Sequence, residues 1–125
     1  MDQTIENEWN LLYANNPKIQ AFAVLKDGEI IWVTQNWGGI VDAAADLAEA
    51  PTAEKGSIEI GGVKYKTVSS SSDTLVATAG KEQGHLLMAL VEGNIWLIAW
   101  ATSDSVPELT IVDLGKTAIQ LIRRL

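Results

Sequence analysis

Three lysines stand in or beside a segment built mostly from apolar and small residues. Lys64 and Lys66 alternate within the run VKYKTV (63–68), and Lys81 follows in a glycine-flanked loop. Because successive side chains of a strand point to opposite faces, Lys64, Lys66 and Val68 should share one face. Cations held on a sheet can pair with the acidic groups of a partner, or they can protect an exposed sheet edge from joining another chain. The pattern predicts a small basic patch and leaves both purposes open.

The residue types that catalyse reactions are sparse. There is no cysteine, and a single histidine, His85, cannot form a metal-binding cluster by itself. The chain has no G-x-S-x-G nucleophile turn and no glycine-rich phosphate loop. Asp42, Asp46 and Glu49 share one face of a predicted helix, where a solvated acidic surface is the simplest interpretation. The sequence therefore predicts a binding protein that is not an enzyme and holds no cofactor or metal.

Composition narrows the kind of partner. The 125 residues suit one domain, 1–125, and the net charge of −7 disfavours nucleic acid. The amino-terminal run MDQTIENEW is acidic and has no apolar core, so we do not expect a signal peptide. No apolar run reaches the roughly 18 residues that a transmembrane helix needs. The lack of cysteine fits a reduced cytoplasmic location.

The hydrophobic pattern predicts three helices and seven strands. A helix is expected over 3–14, ending before Pro17, and an Ala-rich helix over 38–50, closed by Pro51. Ser105 and Glu108 predict a capping box that opens the last helix. The predicted strands, each bounded by turn residues, are 21–25, 30–34, 57–60, 63–68, 74–79, 85–91 and 95–101. The order predicts an α+β fold, a mostly antiparallel sheet with the two terminal helices packed on one face and a shorter helix elsewhere.

Five tryptophans are a second feature that favours binding. Trp96 and Trp100 lie in a strand that is apolar on both faces, which is typical of a core. Trp9 lies in the first helix and Trp32 in the hairpin, two elements that are adjacent in sequence. Aromatic side chains of this kind can form a platform for a proline-rich ligand.

The order of these motifs resembles the profilin family, small proteins that bind actin monomers. The resemblance spans nearly the whole chain. It includes the helix with Trp9 and Tyr13, the hairpin AFAVLKDGEIIW (21–32), the strand start GGVKY (61–65) and the loop AGKEQGH (79–85). The ending SVPELT followed by an amphipathic helix is also similar, and the short loops resemble compact archaeal members.

The resemblance implies a monomeric cytoskeletal protein whose surface binds actin or an actin homologue. It implies that lysines of the sheet meet acidic groups on actin while the start of the last helix supplies apolar contacts. The residues that it assigns to this surface are Lys64, Lys66, Lys81, Val106, Pro107, Leu109, Val112, Asp113 and Lys116.

A second site implied by the resemblance is a groove for proline-rich peptides between the terminal helices. The residues assigned to it are Trp9, Tyr13, Trp32, Leu121 and Leu125. The carboxyl-terminal residues IRRL lack the aromatic side chains that usually complete this groove, so we expect weak binding or none. Phosphoinositide binding is also implied, and it would be weak on a chain of this net charge.

A roadblock-type domain, a dimeric scaffold for small GTPases, is the alternative interpretation. Such domains share the order helix, hairpin, helix, strands, helix, and their hairpins also carry an Asp-Gly turn. The additional strands within 57–79 and the Gly-Gly-x-Lys strand start favour profilin.

Overall fold

A computed structural model describes residues 2–53, 56–80 and 82–125. These residues form three α-helices, a short 3-10 helix at Val41–Ala43 and seven strands. The helices are α1 (Asp2–Asn15), α2 (Ala44–Ala53) and α3 (Pro107–Leu121). The strands are β1 (Ile19–Lys26), β2 (Glu29–Val33), β3 (Ser57–Ile60), β4 (Val63–Ser70), β5 (Thr74–Ala79), β6 (His85–Glu92) and β7 (Ile95–Ala101).

The strands form one antiparallel sheet in the order β2-β1-β7-β6-β5-β4-β3. β1 and β2 join through Asp27 and Gly28, which both have positive φ (52° and 84°), as a tight hairpin turn requires. The predicted α+β architecture and each predicted strand are confirmed, with ends that differ by at most two residues.

Both faces of the sheet are covered, which explains why β6 and β7 are apolar on both sides. α1 and α3 pack on one face, where Phe22, Leu87 and Leu97 are fully buried. On the opposite face, Ile40 and Leu47 pack against the inner strands. With apolar area stabilising by about 25 cal/mol per Å², these two layers supply most of the driving force for folding.

The sheet curls until its two edges approach each other. The loop that follows β2 touches the β3–β4 turn, although β2 and β3 lie at opposite ends of the strand order. A Cβ added to Gly39 would lie 2.9 Å from the Cα of Gly61, and both residues have positive φ. The close approach of the backbones leaves no room for a Cβ at Gly39, and the positive φ of Gly61 favours glycine there.

Three helix boundaries differ from the prediction. The second helix is predicted from 38, but a 3-10 turn occupies Val41–Ala43 and α2 itself begins at Ala44. Pro51 does not close the second helix but lies inside α2, which continues to Ala53. Because α2 ends two residues later, the ring interrupts only its last turn.

The predicted capping box at the start of α3 does not form. Val106 occupies the N-cap with an extended backbone (φ −101°, ψ 104°), and no side chain caps the helix. The Ser105 hydroxyl instead donates to the carbonyl of Thr102 at 2.7 Å. Pro107 takes the first helical position, where its missing N–H is of no consequence.

Within the described part of the chain, none of the helices combines the length and apolar character needed to cross a bilayer.

Candidate functional site

The lysine-bearing face of β4 lies on the same side of the sheet as α3. Lys66 pairs with Thr78 of β5, and Thr78 and Val76 line a groove that faces the first turns of α3. Lys64 and Lys66 are exposed, whereas Tyr65 between them is buried toward α2. The period-2 prediction for this strand is therefore confirmed.

A β-bulge brings Ser69 onto this same face beside Val68. The ladder between β4 and β5 shifts register between Thr67 and Ser69, and Val68 and Ser69 both line the groove. A bulge allows two consecutive residues to oppose one residue of the partner strand. Val68 is left 69% exposed, so this part of the sheet presents an apolar side chain beside the lysines.

The groove between β4–β5 and α3 has a volume of about 360 Å³. Pro107, Glu108 and Ile111 form its helical wall. α3 packs mainly on β6 and touches β5 only slightly, so the outer strands β3 and β4 are left uncovered on this face. We call the uncovered face of β4–β5 together with the first two turns of α3 the β4–α3 surface.

The turn before α3 is fixed to the start of β1. The N–H of Thr102 donates to the carbonyl of Lys18 at 2.9 Å, and Lys18 Nζ lies 3.5 Å from Asp104 Oδ2. The Thr102 hydroxyl, and secondarily Lys18, hold the pKa of the Asp104 carboxyl below its ordinary value. These contacts fix the direction in which Val106 and Pro107 enter the helix.

The start of α3 exposes several large apolar side chains to solvent. Val106 is 50% exposed, Leu109 66% and Val112 52%. Pro107 lines the groove together with Thr78, the cross-strand partner of Lys66. Leu109 and Val112 do not line the groove, and Leu109 lies one helical turn before Asp113, on the flank toward α1.

Asp113 and Lys116 lie on the other flank of α3, toward α1. The Asp113 carboxylate accepts a hydrogen bond from Asn16 Nδ2 at 3.0 Å. Lys116 lines a separate groove between α1 and α3. The resemblance assigns both residues to the surface that contains Lys64, yet they lie on the far side of the helix from it. Lys81, the third lysine of the predicted patch, falls outside the described residues.

His85 is buried beneath the β4–α3 surface, where it has a structural role. Its side chain is only 9% exposed, Nδ1 lies 2.8 Å from the Thr78 hydroxyl, and Nε2 lies 3.4 Å from the carbonyl oxygen of Ser103. His85 thus orients Thr78, which lines the groove. In the described part of the chain, no three His, Asp or Glu side chains are grouped as a metal ligand set would be.

Trp9, Tyr13 and Trp32 meet in a second groove, of about 840 Å³. Trp9 stacks on Phe22 with ring centroids 5.5 Å apart, and Trp32 contacts Phe22 edge-on with centroids 5.9 Å apart. The ring of Tyr13 lies 5.6 Å from Trp9. Phe22 therefore holds the two indoles in place from below.

This aromatic groove lies between α1 and the end of β2, not between the two terminal helices. Its walls come from α1 and from residues 32–36. Leu121, which the resemblance assigns to a groove for proline-rich peptides, is fully buried in the core, and Leu125 packs against the same core. Neither residue lines the aromatic groove.

Several residues of the β4–α3 surface were not identified from sequence, among them Val76, Thr78 and Ile111. The alternation in TLVATA does place Val76 and Thr78 on one face. Their position beside Lys66 depends on the β4–β5 register, which the bulge at Val68 sets.

Comparison with known proteins identifies the family. The chain is 30% identical over 103 residues to Thor profilin from Thorarchaeota archaeon (strain AB_25), covering 80% of each chain. It is 36% identical over 104 residues to Odin profilin from Odinarchaeota yellowstonii (strain LCB_4), covering 82% of this chain and 85% of the other. No family model matches the sequence.

Solved structures agree with this result. The fold superposes on LokiProfilin2, solved in complex with rabbit actin, with a TM-score of 0.90 at 25% identity over the full length of both chains. LokiProfilin1 gives a TM-score of 0.91 at 24% identity, also over both full chains. The chain belongs to the profilin family, as the motif order predicts, and the roadblock alternative finds no support.

Proposed function

We propose that this protein binds monomers of actin or of an actin homologue and regulates their polymerisation by sequestering or delivering them. The family assignment supports this proposal, as does the likeness to a profilin solved in complex with actin. The observation that carries it is the β4–α3 surface, where exposed apolar side chains and exposed lysines lie together on a chain of net charge −7.

The two kinds of residue have different tasks in this proposal. Val68, Val106 and Leu109 are each at least half exposed, and burying them against a partner would recover hydrophobic free energy. In this proposal Val68 supplies an apolar contact from the sheet, and Val106 and Leu109 supply apolar contacts from the start of α3; buried contacts of this kind typically cost the most when truncated. Lys64 and Lys66 form a cationic rim that attracts acidic groups and mainly raises the association rate.

Glu59 tunes this rim. It pairs with Lys64 across β3 and β4, so the two side chains share one face. An opposite charge directly across a strand pair typically contributes about 0.2–1 kcal/mol.

In this proposal the protein is a single-domain monomer of the cytoplasm and catalyses no reaction. One protein molecule would bind one actin monomer. Any change in nucleotide exchange would then come from how the cleft of actin responds to the bound partner.

Size-exclusion chromatography with light scattering tests the binding directly. The protein alone should elute as a monomer, and mixing with monomeric actin should yield a 1:1 complex. If neither rabbit actin nor an archaeal actin homologue forms a complex with the well-folded protein, the proposal is rejected.

We also propose that the aromatic groove binds proline-rich peptides. The pre-positioned ring pair Trp9 and Trp32, held by Phe22, favours this function because extended proline helices dock on aromatic-lined grooves. Tryptophan fluorescence upon addition of a proline-rich peptide tests it. The signal change should be lost in Trp9→Ala and kept in Trp96→Phe, whose indole is buried on the opposite face.

A further inference from the structure

A second aromatic cavity lies on the α2 face of the sheet, where the two curled edges meet. It has a volume of about 300 Å³. Three aromatic side chains line it, Trp37 from the loop after β2, Tyr65 from β4 and Trp100 from β7. Neither the docking of α3 nor the aromatic groove of α1 uses these rings.

Two of the three rings are held in place by the surrounding backbone. Trp100 Nε1 donates to the carbonyl of Gln83 at 3.1 Å. The Trp100 ring packs so closely on Gly84 that an added Cβ would lie 2.6 Å from it. Tyr65 is 4% exposed and lines the cavity beside Trp100. The cavity is therefore pre-formed, which lowers the entropy cost of binding.

The cavity is continuous with the aromatic groove of α1. Gln20 and Asn36 line both spaces, and Asn36 Nδ2 donates to the backbone carbonyl of Gln20 at 2.7 Å. This single hydrogen bond, from the Asn36 side chain to the Gln20 backbone, lies between Trp9 and Trp32 on one side and Trp37 and Trp100 on the other.

The lining chemistry favours a neutral, proline-rich occupant. Among the described residues that line the two spaces, Glu6 is the one charged side chain, so neither an anion nor a cation is selected. A polyproline II helix makes no internal hydrogen bonds, and its carbonyls are free to accept from amide donors such as Gln20. Its rings stack on aromatic faces at regular intervals.

We propose that the two spaces form one extended site, in which a proline-rich peptide that fills the aromatic groove continues past Gln20 and Asn36 into the cavity of Trp37, Tyr65 and Trp100. This inference rests on the proposed peptide binding in the first groove. It assigns to Trp37 a role that depends on peptide length.

The test compares two peptides on the full-length protein. One contains about six prolines and spans about 19 Å, and the other contains about fourteen and spans about 43 Å. In ¹⁵N-correlated NMR spectra, both peptides should shift the indole N–H signals of Trp9 and Trp32, and only the long peptide should shift those of Trp37 and Trp100. If the long peptide leaves the Trp37 and Trp100 signals unchanged, the extended site is rejected.

Affinities measured by calorimetry give a second readout. Trp37→Ala should weaken the long peptide about fivefold to tenfold and the short peptide less than twofold. A long peptide can bind in more registers and therefore binds more tightly than a short one at any such site. The test is for this reason the loss of affinity caused by Trp37→Ala, and not the difference in affinity between the two peptides. Val41→Ala, at a 61% exposed position that lines neither space, is the control.

The outcomes separate the two proposals. If Trp37→Ala weakens both peptides equally or neither of them, while Trp9→Ala abolishes binding of both, the extended site is wrong and the groove of α1 stands. If neither peptide binds the wild-type protein, both proposals fail together.

Discussion

Lys66 lies directly opposite Thr78 across the β4–β5 ladder, and Thr78 in turn lines the groove below the first turns of α3. This pairing is what joins a cationic strand to an apolar helix start. The Thr78 hydroxyl is held by His85 Nδ1 at 2.8 Å. A buried histidine thus supports the floor of the proposed actin-binding surface.

Reversing the charge of the lysine rim should weaken actin binding. We expect Lys64→Glu to reduce affinity about tenfold, mainly through a slower association rate that depends on salt. Surface plasmon resonance with immobilised monomeric actin measures both rates. Lys26→Glu makes the same change of charge beside the β1–β2 turn and should have little effect, as should Glu49→Lys on α2. Equal losses from Lys64→Glu and Lys26→Glu would mean that the surface is misplaced.

Two leucines of α3 should separate binding from stability. Leu109 is 66% exposed, so Leu109→Ala should weaken actin binding by about 1–2 kcal/mol and leave the free energy of unfolding nearly unchanged. Leu114 is fully buried, and Leu114→Ala should lower the free energy of unfolding by about 2–5 kcal/mol. Urea titration measures the free energy of unfolding, and calorimetry measures the affinity for actin. A large stability loss in Leu109→Ala would contradict the exposed position of its side chain.

The contact between the two curled edges should be sensitive to a single methyl group. Gly39 has φ +84° and no room for a Cβ, so Gly39→Ala should destabilise the protein by about 1–3 kcal/mol. Gly38→Ala is the matched control, because its Cβ would meet nothing within 4 Å and its φ is not positive. Chemical denaturation should show a lower midpoint for Gly39→Ala alone. Similar midpoints for the two variants would argue against a close approach of the edges.

Tyr65 should contribute a pH dependence on the alkaline side. Burial raises the pKa of its hydroxyl above the ordinary value of 10.0, and a hydrogen bond with Trp100 partly opposes this shift. The unfolded state then loses its proton first, so the stability contributed by the neutral hydroxyl is present below pH 10 and declines as pH rises through the raised pKa. Between pH 10 and 11, the free energy of unfolding should fall less steeply in Tyr65→Phe than in the wild type. Parallel curves would show that the hydroxyl is not desolvated.

Much of the fold follows from local pattern. The turn residues between strands, such as Gly61 and Gly62, require positive φ that few other residues tolerate, which is why the strand limits were predictable. The face of Lys64 and Lys66 followed from alternation alone. Pro51 was misjudged because a proline near a helix end interrupts only one turn.

The composition of the two sites depended on long-range packing that local pattern does not contain. Leu121 belongs to the apolar stripe of α3. The pattern does not reveal that this residue faces the sheet and therefore cannot line the aromatic groove. The bulge at Val68 has no turn residue to mark it. The cavity of Trp37 and Trp100 exists because residues 63 positions apart meet where the sheet curls, and the sequence alone gives no measure of that curl.

Spontaneous polymerisation of pyrene-labelled actin tests the proposed function most directly. Wild-type protein should lengthen the nucleation lag in proportion to its concentration, and the double variant Lys64→Glu/Lys66→Glu should lengthen it far less. If wild-type protein at saturating concentration leaves the lag of both rabbit actin and an archaeal actin homologue unchanged, monomer binding through the β4–α3 surface is not what this protein does.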